Sequence, residues 1–129
     1  MRVLRIARLA DEDIVSILSW SLDKFGPAAC RRYEALLTVA LESLGVEPEK
    51  FGSIARPEFG AAIRTYHLRF SREEARTPEG IVRRPRHVVA YRTLGDRVLE
   101  IIRVLHDGME LQRHLPRWLE GSELEAPDA

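Results

Sequence analysis

The chain has 129 residues, of which 45% are hydrophobic and 31% charged. That composition excludes global disorder and two independent domains, and fits one compact core. The formal net charge of zero conceals an uneven spread: residues 1–55 sum to −1, residues 56–117 to +5 and residues 118–129 to −4. Arginine supplies 18 of the 20 basic side chains, with Lys24 and Lys50 the only lysines, which favours planar, bidentate contacts to carboxylates or phosphates. An acidic partner for the middle block is one reading of this bias; solvated arginines on exposed faces are the other. No run approaches the ~18 apolar residues of a membrane helix, and the start lacks a secretory pattern, so a cytosolic protein is expected. Cys30 is the only cysteine, which removes an internal disulfide, a Cys-rich zinc site and a redox pair.

The run from Val3 to Leu9, without Gly or Pro, suits a first strand. Asp11, Glu12 and Asp13 offer a cap and early acidic charge for a helix over about residues 12–24, with Val15, Leu18, Leu22 and Phe25 at helical spacing and Gly26-Pro27 as its stop. Pro27 suits the first turn of a second helix. Ala29, Tyr33, Leu36, Leu37, Ala40, Leu41 and Leu44 recur at helical intervals, and Gly45 is read as a left-handed cap ending that helix near residue 44. Two such helices joined so briefly form an antiparallel hairpin. Residues 46–60, broken by Pro48, Gly52, Pro57 and Gly60, read as a long loop. Three β-prone segments follow, over residues 62–70, 88–92 and 98–105, the last two joined by a Gly95-Asp96 turn into an antiparallel hairpin. Residues 71–85 read as an inserted loop. An amphipathic stretch from Met109 to Leu115 ends at Pro116, and residues 118–129 form an acidic tail expected to be disordered. The fold class is therefore α+β: a helical hairpin on a small, antiparallel-rich sheet in the order β-α-α-β-β-β, one domain over residues 1–117.

Phosphate-binding glycine loops, zinc-helix histidine pairs and nucleophile-elbow motifs are all missing from the sequence. The histidines 67, 87, 106 and 114 are too widely spaced for a typical metal set, so neither metal nor cofactor is expected. His87 and His106 fall at one end of the expected hairpin, either as a polar cluster or as strand-end residues satisfied by backbone and water. Strict alternation along the last strand puts Leu99, Ile101, Arg103 and Leu105 on one face and Glu100, Ile102, Val104 and His106 on the other. Arg64, Arg92 and Arg103, on three strands, either converge as an anion-binding patch or pair with Glu100 and Asp96 across the sheet. Trp20 lies off the main stripe of its helix. It is either an exposed binding hot spot or a side chain packed under the loop that carries Phe51 and Phe59.

The segment from Arg86 to Arg92, followed by Ile102 to Asp107, resembles the RelE/ParE superfamily of bacterial toxins. Asp11-x-x-Ile14, Phe25-Gly26-Pro27-x-Ala29, Tyr33 and the leucines of the second helix are similar to the first half of that family, and Met109 to Leu115 to its closing segment. The resemblance covers about residues 1–115 and implies the toxin of a type II toxin-antitoxin pair, with a cognate antitoxin laying an extended or helical segment into a groove. It implies DNA gyrase as the target for a ParE-like toxin, or the ribosome, as a metal-independent messenger RNA endoribonuclease, for a RelE-like one. Gly108-Met109-Glu110 and an acidic end stand where RelE-like nucleases tend to carry basic or aromatic residues, which favours the ParE-like branch and a non-enzymatic toxin without sequence-specific nucleic-acid binding. Arg64, His87, Arg92, Arg103 and His106 are the expected target contacts, and Arg64, Arg92, Arg103 and His106 the catalysts if the chain is a nuclease. Ile14, Trp20 and Val104 are the expected antitoxin contacts. A non-toxic interaction module is the third alternative.

Overall fold

A computed structural model describes residues 1–109, 111, 113 and 114. The acidic tail, the domain limit at 117 and most of the amphipathic stretch after Met109 lie outside the described residues. The chain forms β1 (Val3–Ile6), α1 (Arg8–Phe25), α2 (Pro27–Val46), β2 (Ser53–Ala55), β3 (Ile63–His67), β4 (His87–Leu94) and β5 (Val98–His106), with single 3-10 turns at Pro57–Phe59 and Leu68–Ser71. Among the described residues five strands make one sheet in the order β1-β5-β4-β3-β2. β1 runs parallel to β5 and the other neighbours are antiparallel. The fold class is the expected α+β one, with an added edge strand.

α1 starts at Arg8, four residues before the position suggested by the acidic cluster. Its N-cap is Ala7, which contributes no side-chain cap; instead the Ala7 N–H donates to the Ile101 carbonyl (2.9 Å). The sheet therefore fixes the start of the helix, and Asp11 falls in its first turn, beside the positive end of the dipole. Gly26 joins the helices with φ +88, a conformation that side chains resist, and its N–H closes α1 on the Leu22 carbonyl. α2 passes through Gly45, which is buried and helical and forms no left-handed cap. The Gly45 carbonyl accepts the Arg2 N–H (3.0 Å), and a Cβ there would lie 3.4 Å from the Arg2 carbonyl oxygen. The glycine is needed for close approach of the chain entering β1.

Leu36, Leu37, Ala40, Leu41 and Leu44 of α2 form the helix-side core with Tyr66, Val89, Tyr91, Leu99, Ile101 and Val104 of the sheet. Each fully buried leucine contributes ~2 kcal/mol of apolar transfer. The far face of the sheet carries a smaller cluster of Phe59, Ile63, Ala90, Ile102 and Leu105, covered in part by Leu9 and Leu111. Strict alternation along β5 is interrupted, because Ala90 pairs with Arg103 while Tyr91 pairs with Ile101, leaving Ile102 as the extra residue of a bulge. Leu99, Ile101 and Val104 consequently share the helix side, while Ile102 and Leu105 share the other. β2 lies in what reads as loop; three residues are too few to show a period, and pairing with β3 from Ser53↔Tyr66 to Ala55↔Arg64 creates it.

The segment over residues 71–85 folds back onto the helical hairpin. Ser71 Oγ bonds Tyr66 OH (2.7 Å), Ala75 and Val82 pack on the helix-side core, and Arg31 grips the Glu79 carboxylate through two bonds of 2.7 Å.

Candidate functional site

Of the two arrangements open to Arg64, Arg92 and Arg103, convergence into one patch does not occur. Arg64 stands opposite Tyr91 and Arg92 opposite Ile63, adjacent register positions whose side chains leave opposite faces of the sheet. Arg64 bonds Ser53 Oγ (2.7 Å), and Ser53 Oγ in turn bonds Tyr91 OH, which also donates to the Pro48 carbonyl. Arg92 pairs with Glu100 (2.9 Å), the cross-strand pairing the sequence allowed for. Arg103 makes a two-pronged contact to Asp13 of α1 (2.8 and 2.9 Å), and the same carboxylate accepts the Val104 N–H (2.9 Å). That constellation ties α1 to the bulged strand. Val104 is 2% exposed and Ile14 packs against the core, so Val104 is absent from the surface expected to meet an antitoxin. Trp20, by contrast, is 53% exposed and stands edge-on to Phe25 at 5.4 Å. It does not pack beneath Phe51, which leans on Phe70, nor beneath Phe59, which belongs to the far-side cluster.

His87 and His106 are register partners at the end of the β4–β5 hairpin, with rings 5.5 Å apart and edge-on. The bulge is what places them on one side, since it restores His106 to the face shared by Val104 and His87. Arg86 N–H donates to Tyr33 OH (3.3 Å), and Tyr33 OH bonds His87 Nδ1 (2.5 Å). Burial first, and then the neighbouring His106, lowers the His87 pKa to about 4, so the ring is neutral near pH 7 and accepts the Tyr33 proton at Nδ1. Burial pushes the Tyr33 hydroxyl up to about 12, so it remains a donor.

Asp107 sits beside this pair. Its carboxylate takes His67 Nε2 (2.9 Å) and Arg86 Nε (3.0 Å), and its N–H donates to the Arg86 carbonyl (2.8 Å). Burial alone would raise the Asp107 carboxyl, but the bonds from His67 and Arg86 prevail and hold it below its ordinary value. Arg69 N–H donates to His67 Nδ1 (3.0 Å) and Gly108 N–H to His106 Nδ1 (3.0 Å). Every described histidine of the cluster is thus oriented by a neighbour. Among the described residues no group of three or more His, Cys, Asp or Glu side chains is placed to hold a metal ion.

From His87 and His106 a groove of about 980 Å³ runs between α1, α2 and the segment over residues 76–86. Its lining combines apolar side chains, Ile17, Trp20, Phe25 and Val82, with Arg32, Arg83, Arg84 and Arg86. Sequence reading misses these arginines as site residues because they fall in a segment that looks like an insertion. The signal available was the run Arg83-Arg84-Pro85-Arg86, next to the strand that begins at His87.

The described residues thus combine an α+β fold with an exposed aromatic pair and a groove lined by arginines. The family model described as "ParE toxin of type II toxin-antitoxin system, parDE" matches residues 4–111, and the chain belongs to that family. No curated protein sequence matches it. Among solved structures it is similar to one titled "Chromosomal ParDE TA system from P. aeruginosa", with 17% identity, 82% of this chain and 96% of that chain covered and a TM-score of 0.57. That likeness concerns the fold. No described helix is long and apolar enough to cross a membrane.

Proposed function

We propose that this ParE-family toxin acts in the cytosol by binding DNA gyrase, without catalysis of its own, and that a cognate antitoxin neutralises it. The observation that carries the choice of branch is the dispersal of Arg64, Arg92, Arg103 and His106. A metal-free ribonuclease needs cations and a proton-transfer group gathered round one phosphate. Here Arg103 is clamped on Asp13, Arg92 on Glu100 and Arg64 on Ser53, each in a different part of the sheet. The antitoxin would cover the Trp20–Phe25 part of the groove, where an amphipathic segment finds apolar side chains. His87, His106 and the arginines of the lining are the surface offered to an acidic target.

The test is gyrase supercoiling with antitoxin-free toxin, run beside ribosome-programmed messenger RNA cleavage on the same preparation. Lost supercoiling or trapped cleaved DNA with intact messenger RNA is the expected result. Cut messenger RNA with normal supercoiling would move the chain to the RelE-like branch and make His106 and the arginines the first catalysts to examine. A preparation inert in both assays, yet tightly bound by its antitoxin, would leave an interaction module.

A further inference from the structure

At the end of the sheet opposite His87 and His106, a second cleft of about 420 Å³ opens between the chain entering β1, the loop after α2, the turn over residues 60–63 and the end of β4. That size falls within the ~300–1,000 Å³ of small-molecule sites. Two guanidinium groups line it, Arg2 just before β1 and Arg64 on β3, against the single carboxylate of Glu49, a formal +1. Thr93 adds a hydroxyl, and Pro48, Ala55, Pro57 and Ile63 supply small apolar walls. The turn itself is strained. Ala62 has φ +64, the only non-glycine residue with a positive φ among the described residues, and Ile63 N–H closes the turn on the Gly60 carbonyl (3.4 Å). Strain of this kind gathers where a loop has to hold a ligand.

The two arginines are in different states. The Arg2 backbone is pinned, because its N–H donates to the Gly45 carbonyl at the end of α2 (3.0 Å). Its side chain is unsatisfied: Nε is buried without a hydrogen-bond partner, and no described carboxylate or carbonyl takes the guanidinium. A buried donor left unpaired is costly, and arginine cannot shed its proton to escape that cost. An anion beside Arg2 would offset it. Arg64 is held from behind by Ser53, through Nε to Oγ (2.7 Å), while its Nη1 meets the Glu49 carboxylate at 3.5 Å. The Glu49 side chain is 79% exposed, so this long contact is weak and open to exchange. It also shows that an oxyanion can stand at Arg64 on the cleft side.

We propose that this cleft binds a small organic oxyanion, a phosphate or carboxylate head on a compact apolar body, with the head held by Arg2 and Arg64 in exchange for Glu49 and the body against the proline and alanine walls. The site lies apart from the groove beside α1, and the inference does not depend on the target of the toxin.

The test titrates the isotope-labelled full-length chain with phenyl phosphate and, separately, with benzoate at constant ionic strength, following backbone amide resonances. Saturable shifts centred on Arg2, residues 60–64 and Thr93 are expected with at least one probe, and the probe that saturates identifies the head. Arg2→Met keeps an unbranched stem but removes the donors, and should weaken binding by about tenfold or more. Glu49→Gln removes the competing carboxylate at an exposed position that the fold does not need, and should strengthen binding by about threefold. R83M/R84M, in the other groove, should change nothing. The amide spectrum of each variant reports its fold, and Glu49→Gln keeps the site testable if Arg2→Met unfolds. Saturation by neither probe would overturn the proposal, as would shifts centred on Arg83 and Arg84, an affinity unmoved by Arg2→Met in a folded chain, or an affinity that Glu49→Gln leaves equal or lower.

Discussion

Asp13 serves two acceptor roles at once, taking the Arg103 guanidinium and the Val104 N–H. Both members of the ion pair retain only 16% side-chain exposure, so removing one leaves a largely desolvated charge behind. Asp13→Ala should cost about 2–4 kcal/mol in urea unfolding at pH 7. Arg103→Glu, which sets two carboxylates together, should unfold the chain before any effect on target binding can be read. His87 gives a pH signature. Its folded pKa of about 4 lies below the ordinary 6.5, so the unfolded chain binds the proton first. Stability should be intact above pH 6.5 and fall by about 2 kcal/mol on descent to pH 4, allowing for the ring's residual contact with water. His87→Gln should flatten that slope in urea midpoints measured from pH 7 to 4. Asp107 titrates below its usual 3.8, outside this window.

Elements with a strong internal period were readable in the chain. The leucines of α2 repeat so regularly that both its existence and its buried face follow from spacing, and Gly26-Pro27 marks the corner. Features made by long-range contact were not readable. β2 exists through its pairing with β3, Gly45 is explained by Arg2, and Ala7 opens α1 through Ile101. The bulge at Ile102 carries no local mark either, as the run Glu100-Ile101-Ile102-Arg103 contains no glycine. It is the largest source of error in the site: alternation carried unbroken past Ile102 reverses the faces of Val104 and His106, while the separation of Arg64 from Arg92 comes from register. The edge formed by β2 offers a direct check on backbone constraint. Gly52 has φ +97, and a Cβ there would lie 2.6 Å from the Phe70 ring. Gly52→Ala should therefore lower stability by about 2 kcal/mol in thermal unfolding, with loss of protection at the β2 amides in hydrogen exchange.

At the scale of the whole molecule, one groove is lined both by an exposed aromatic pair and by arginines and histidines. An exposed tryptophan beside a phenylalanine contributes little to the monomer and much to an interface from which water is expelled. Trp20→Ala should leave the melting temperature within about 2 °C, since surface changes of this kind are worth ±0.5 kcal/mol or less. The same change should weaken antitoxin binding by about thirtyfold or more, the mark of a hot-spot aromatic, in titration calorimetry. An unchanged affinity would remove Trp20 from the interface and redirect the search to the arginines.

β1 touches its partner only when the chain is nearly finished, because Val3 pairs with Val98 and Ile6 with Ile101. At about 5–20 residues per second, synthesis leaves the first strand waiting roughly 5–20 s for its neighbour. Through that interval Val3, Leu4 and Ile6 are a bare apolar strand, and both helices are made before the strands that will cover their leucines. Such late, distant pairing slows folding relative to a chain of local contacts. The groove and its histidine end therefore exist only after β5 has slotted between β1 and β4, so the binding surface of the chain is among the last of its features to form.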